Sequence, residues 1–245
     1  KQLREEADYV REGRYLSFFG ELLVDSPDYV IPVLDNEFTT DQVLAMSFVE
    51  GKAIETLVDA PQETRDAAMR LLFKLVMREL FEFGIVQSDP NFANYRYQPD
   101  TGKLVLLDFG ATRQVNVKIA DSYRRLITAA LNGDRDTVRE ESVATGFVGA
   151  AAVARHRGPI DAMIDVIVGE LNRPGLFDFG DRGFVNILRD QGMDVAADRS
   201  AWHIPPTDLL FIQRKISGMA LLAARLKARI DIRGLVDEHF GVEES

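Results

Sequence analysis

The chain has 245 residues, 46% of them hydrophobic, and 29 Lys plus Arg against 39 Asp plus Glu, a formal net charge of −10. That length suits one sizeable core or two joined lobes and excludes a disordered or fibrous chain, while the negative total has the wrong sign for a general nucleic-acid binder. Cysteine is absent, which removes disulfides, thiolate zinc sites and cysteine nucleophiles together, and His156, His203 and His239 are scattered without metal-ligand spacing.

The first predicted element is a helix over 3–23, acidic in its first turn and closed before Asp25-Ser-Pro-Asp28. Two strands over 29–38 and 42–50 follow, rich in Val, Ile, Leu and Phe, with Thr39-Thr-Asp41 as the turn and Gly51 as the stop. A helix over 61–83 repeats Met69, Leu72, Val76, Leu80 and Phe83 at steps of three and four. Pro99-Asp-Thr-Gly102 is a turn, and Leu104-Val-Leu-Leu107 a buried strand. Beyond Arg113 the pattern is helical over 119–131, 136–145 and 159–171, with a long amphipathic helix over 206–229. The expected fold class is α+β, mostly helical. No stretch approaches the roughly 18 consecutive apolar residues of a membrane span, and Lys1-Gln-Leu-Arg-Glu-Glu does not read as a signal peptide.

The chemistry is concentrated in Gln87-Ser-Asp89-Pro-Asn-Phe-Ala-Asn94 and, after an apolar run, Asp108-Phe109-Gly110. Phosphoryl transfer asks little covalent help from a protein. It needs an acidic group near the attacking oxygen and oxygen ligands that hold magnesium against the phosphates. Asp89, Asn94 and Asp108 have the residue types and the spacing for those roles, and helix, loop, hairpin and Asp-Phe-Gly come in kinase order. In that order Ser47, Phe48, Val49 and Glu50 fall at the hinge, where adenine bonds to backbone.

A second copy, Phe177-Asp178-Phe-Gly180, serves as a control. It follows Arg173-Pro-Gly175 instead of an apolar strand, and no Asp and Asn pair precedes it, so it is expected to have no part in phosphate binding. Arg214, Lys215, Arg225, Lys227 and Arg229 concentrate positive charge on the last helix. A packed helix with a solvated basic face is the favoured explanation, and peripheral contact with anionic lipid the sharper alternative.

These motifs resemble the UbiB/AarF/ADCK family of atypical kinases, whose eukaryotic members support coenzyme Q biosynthesis. Glu6-Ala-Asp8 matches the family's Glu-x-Asp motif, Glu12 sits where the small-lobe helix glutamate belongs, and Asp89 to Asn94 with Asp108-Phe-Gly-Ala-Thr-Arg113 follow its site. The similarity extends through Phe177-Asp-Phe-Gly180, Gln213-Arg-Lys215 and Arg225-Leu-Lys-Ala-Arg229. The resemblance implies a protein-kinase-like fold with an incomplete small lobe over 1–51 and a large lobe with a helical extension over 52–245. It implies ATP and Mg2+ as cofactors, Asp89 as the group that orients or deprotonates the nucleophile, and Asn94 and Asp108 as metal ligands. Glu12 would pair with a strand lysine that, like the alanine-rich nucleotide loop and the Lys-x-Gly-Gln motif, precedes this helix in the family; the chain is therefore expected to be a fragment.

Gln87 and Ser88 stand where protein kinases carry His and Arg, Asn91 where they carry a lysine, and no Ala-Pro-Glu segment follows. A small or lipid-related acceptor, or water, is expected in place of general protein substrates. The expected function is a UbiB-type kinase or ATPase in isoprenoid-quinone biosynthesis, working with a quinone precursor and quinone-biosynthesis proteins. It would be cytoplasmic, peripheral to the inner face of the membrane. The alternatives are a small-molecule kinase of the aminoglycoside or choline kinase type and a nucleotide-binding pseudokinase scaffold.

Overall fold

A computed structural model describes residues 8–181, 183–198 and 205–241. The chain divides into two compact units, one from 1–114 with 214–228, the other from 115–213 with 229–245.

The first unit opens with α1 (Tyr9–Leu22). Asp8 stands at its N-cap with a non-helical backbone and accepts the Arg11 N–H at 2.9 Å, so this helix starts at Tyr9; residues 3–7 of the helix expected over 3–23 lie outside the described residues. Gly13, Leu16 and Phe19, three apart, form its buried face. A Cβ on Gly13 would come within 3.0 Å of Leu34, which shows how closely the following hairpin packs there.

That hairpin departs from expectation. In place of strands over 29–38 and 42–50 there is β1 (Tyr29–Val30) and one isolated bridge between Leu34 and Met46. Local side chains have replaced much of the ladder: Asp35 Oδ1 accepts the N–H groups of Glu37 and Phe38, and Thr39 Oγ1 accepts the Ala45 N–H. Val33, Phe38 and Phe48 stay exposed, Phe48 at 87%.

A four-stranded sheet of order β1-β5-β4-β2 is built from β2 (Lys52–Ala53), β4 (Tyr95–Gln98) and β5 (Lys103–Leu106) with β1, which runs parallel to β5. Gly102 makes the β4–β5 turn with φ +69°, a conformation that favours glycine. Next to the sheet in sequence, α2 (Gln62–Arg78) buries Met69, Leu72, Leu75 and Val76, then widens into a π turn over Glu79–Phe83 that Gly84 stops at φ +64°. From it emerges β3 (Ile85–Gln87), paired antiparallel with β6 (Thr112–Gln114).

The second unit is helical: α3 (Val117–Leu131), α4 (Arg135–Thr145), α5 (Ala150–Arg155), α6 (Arg157–Leu171) and α7 (Gly183–Ala197). Its core joins Ala129, Val138, Ala152, Ile160, Ile164 and Val168. Asp134 caps α4 through the Thr137 N–H. The long helix is α8 (Thr207–Leu226). A short pairing of β7 (Phe177–Asp178) with β8 (Arg229–Ile230) precedes α9 (Ile232–Phe240).

The five cations expected on α8 do not form one face. Lys215 is 1% exposed, Arg225 pairs with Glu55 at 2.5 Å, and Arg229 with Asp178 at 3.3 Å. No helix among the described residues is long and apolar enough to cross a membrane.

Candidate active site

Two backbone ladders pin the functional loops against each other. At one end Gln87 of β3 lies opposite Thr112 of β6, and Ser88 extends the pairing by donating its N–H and Oγ to the Ala111 carbonyl at 3.1 and 2.8 Å. At the other end Tyr95 lies opposite Leu106, and the Leu107 N–H donates to the Asn94 carbonyl at 3.0 Å. Asp89, Asn94 and Asp108 each sit on a rung or one residue from it.

Inside the loop, short polar side chains set the backbone. Asp89 Oδ1 accepts the Asn91 N–H at 3.3 Å, and Asn91 Oδ1 accepts the Ala93 N–H at 3.1 Å, opening the single turn Phe92–Asn94. The buried Asn94 donates Nδ2 to Asp89 Oδ2 at 2.9 Å, joining two of the expected site residues directly. That bond leaves the amide oxygen of Asn94 as its acceptor side. Asp108 Oδ1 accepts the Gly110 N–H at 2.9 Å.

The Asp-Phe-Gly turn is also gripped by α1. Arg11 donates to the carbonyls of Gly110 and Thr112 at 2.8 and 2.6 Å. Glu12 meets Asp108: burial first, and the neighbouring Asp108 charge second, push its carboxyl up to about 7, against the opposing pull of the Phe109 N–H. A Cβ on Gly110 would sit 3.2 Å from Glu12 Oε2, so glycine keeps this approach open. Phe109 is buried, its ring 4.8 Å from Phe19, which stands edge-on to Phe83.

Glu12, Asp108, Phe109 and Gly110 thus come together, as do Asp89 and Asn94. For Ser47 to Glu50 the bonds run elsewhere: Ser47 exchanges bonds with the Val33 backbone, and the Glu50 carbonyl accepts from Gln98. Asp8 caps its helix, Gln87 is buried with no hydrogen-bond partner for its side-chain amide among the described residues, and Glu6 lies outside them.

Sequence reasoning missed Arg11 and a buried group of Glu79, Tyr95 and Lys215. Arg11 acts on backbone carbonyls a hundred residues away, which leave no trace in a residue pattern. Lys215 did leave one, since it lies on the apolar stripe of α8, three after Ile212 and four before Met219.

The oxygen donors of Asn94 and Asp108 are hard ligands that suit magnesium, and the crowding of Glu12 on Asp108 is the arrangement a cation relieves. Among solved structures, Rv3197 of Mycobacterium tuberculosis, determined in complex with erythromycin, superposes with a TM-score of 0.77 at 21% identity, covering 96% of this chain and 58% of that one. The fold is protein-kinase-like. The family model of the ABC1 atypical kinase-like domain matches residues 1–142, and the chain belongs to that family. It is 34% identical to the mitochondrial atypical kinase COQ8B of Rattus norvegicus, covering 98% of this chain and 45% of the relative. It is 33% identical to the mitochondrial atypical kinase COQ8 of Saccharomyces cerevisiae, covering 98% and 48%. The chain therefore spans about half the length of these relatives.

Proposed function

We propose that the chain carries the nucleotide and magnesium site of a UbiB-type atypical kinase or ATPase that supports isoprenoid-quinone biosynthesis, with residues 1–51 as its small-lobe part and 52–245 as its large-lobe part. The observation that carries this reading is the Asn94 to Asp89 hydrogen bond, 2.9 Å long, in a loop whose ends are pinned beside Asp108. Asp89 orients or deprotonates the attacking hydroxyl or water. The Asn94 amide oxygen and the Asp108 carboxylate would hold magnesium, which would supply positive charge against the phosphates. The backbone of Ser47 to Glu50 receives adenine through groups other than the Ser47 N–H and the Glu50 carbonyl, which bond to Val33 and Gln98.

Gln87, Ser88 and Asn91, standing where protein kinases place His, Arg and Lys, support a lipid-related or other small acceptor, or water. The names of the relatives support the kinase class, and the family resemblance supports a quinone precursor and quinone-biosynthesis proteins as partners. The reading carries a cytoplasmic location, peripheral to the inner face of the membrane, and is compatible with the absence, among the described residues, of a helix long and apolar enough to cross one.

The test is Asp108→Asn in the full-length protein, read by titration with magnesium-ATP and by phosphate release. Turnover is expected to fall by about a hundredfold or more, with magnesium-dependent nucleotide affinity lost. Affinity and turnover that both survive would end the reading.

A further inference from the structure

Lys215 is 1% exposed on α8, a position where a lysine costs solvation unless something holds its charge. Its Nζ lies 3.3 Å from Glu79 Oε2 and donates to the Tyr95 hydroxyl at 2.7 Å. Burial drives the ammonium towards losing its proton, the Glu79 carboxylate and Tyr95 hold it on, and the second effect wins. Tyr95 directly follows Asn94 in the chain. Glu79 opens the π turn that leads into β3, and its Oε1 lies 3.5 Å from the Gln87 N–H.

One turn further along the same helix face, Gly218 meets Pro90, which directly follows Asp89. A Cβ on Gly218 would fall 2.6 Å from Pro90 Cβ, a contact no side chain tolerates. Between Lys215 and Gly218, with Phe92 and Met219, the packing leaves a void of only about 10 Å3. The C-terminal end of α8 is tied down separately, Arg65 donating to the Leu226 carbonyl and Gln62 to the Lys227 carbonyl, each at 2.8 Å.

We propose that Lys215 and Gly218 are positioning residues for the Asp89 to Asn94 loop: α8 seats the residue after Asp89 through Gly218 and the residue after Asn94 through Lys215. This rests on the proposed function for its link to turnover, and on the packing alone for its link to the loop. Neither residue touches the reacting atoms. Each acts through its neighbour in the loop, and a shift of a few tenths of an ångström at Pro90 or Tyr95 is passed on to Asp89 or Asn94.

The experiment compares Gly218→Ala, Tyr95→Phe and Lys215→Met in the full-length protein by hydrogen exchange of the 89–94 amides and by steady-state kinetics with magnesium-ATP. Tyr95→Phe removes a single oxygen, so it keeps the test open if Lys215→Met does not fold. Loop exchange is expected to quicken by about tenfold, with kcat lower by about tenfold to a hundredfold and KM for ATP changed less than about threefold. Pairing Gly218→Ala with Pro90→Gly removes the clashing Cβ and is expected to recover part of the lost kcat. Loop exchange and kcat that stay at wild-type values in both Gly218→Ala and Tyr95→Phe overturn the proposal. So does a uniform rise in exchange over the whole molecule with kcat unchanged, the signature of a purely structural role. Turnover that survives Asp108→Asn would sink the proposed function instead, leaving the loop exchange to decide this inference.

Discussion

The molecule holds the same tripeptide twice, and the two copies fold alike. In Asp108-Phe109-Gly110 and in Asp178-Phe179-Gly180 the aspartate Oδ1 accepts the glycine N–H two residues on, at 2.9 and 2.8 Å. Their surroundings then diverge. Asp108 leaves a buried strand, faces the carboxyl of Glu12 and lies beside the Asn94 rung, whereas Asp178 sits in a two-residue strand and is neutralised by Arg229 at 3.3 Å. Phe109 is buried against Phe19, while Phe179 packs on Phe177 at the surface of the other unit. The local turn is a property of the tripeptide. Its chemistry comes from what the flanking ladders bring next to it: an aspartate crowded by acid attracts a cation, and one already paired with arginine does not.

The sharpest way to break this contrast is to remove the same charge from both copies. Asp108→Asn is expected to lower turnover by about a hundredfold or more, and Asp178→Asn to leave kcat and the magnesium requirement within about twofold of wild type, since its partner pair is largely solvated. Equal losses in the two variants, measured by phosphate release, would show that the distinction is wrong. Truncating the phenylalanines should separate the copies in stability. Phe109→Ala opens a cavity in a closed core and is expected to cost about 3–5 kcal/mol in denaturant unfolding, whereas Phe179→Ala, half-buried, should cost about 1 kcal/mol.

The same contrast explains what the sequence disclosed. The pairing of Asp89 with Asn94 and the ladder that sets Asp108 beside the Asn94 rung were legible because short spacing on either side of one hairpin fixes them, and the second copy lies in a different pairing, beside Arg229. The loop-facing end of α1 was legible only in part: the helix announced itself by periodicity, but Asp8 gave up its place in the helix to cap it, and Arg11 found carbonyl partners that no pattern encodes. The hairpin over 29–50 failed as two strands because Asp35 and Thr39 satisfied backbone groups that a ladder would have used. Lys215 was grouped with its neighbours by charge, when its register on the apolar stripe was the better guide. A cation on a buried stripe signals a buried acid, here Glu79 from the end of α2.

Smaller effects sharpen the comparison further. Arg11→Met deletes two charge-assisted bonds that hold the Asp108 turn from behind and is expected to cost about 1–3 kcal/mol, with a rise in the magnesium concentration needed for half-maximal rate. The rise separates positioning of Asp108 from plain destabilisation, because a folded but unshifted site would bind metal as before.

The smallest expected effect belongs to Arg229→Gln. Its guanidinium and the Asp178 carboxylate are 53% and 39% exposed, so water already screens both charges, and losing one should change stability by about 0–1 kcal/mol. The Asp178 carboxylate would still accept the Gly180 N–H, so the turn itself should survive. What the variant adds is chemical: it leaves the second Asp-Phe-Gly without its paired arginine, in a cleft that Asp181 and Asp231 also line, but without the Asn94 rung and Glu12 that flank the first. Magnesium titration followed by hydrogen exchange over 177–180 should show no protection at concentrations that protect 107–110. Protection of both segments alike would mean that the turn alone suffices to hold the ion, and that Asn94 and Glu12 contribute less than the geometry assigns them.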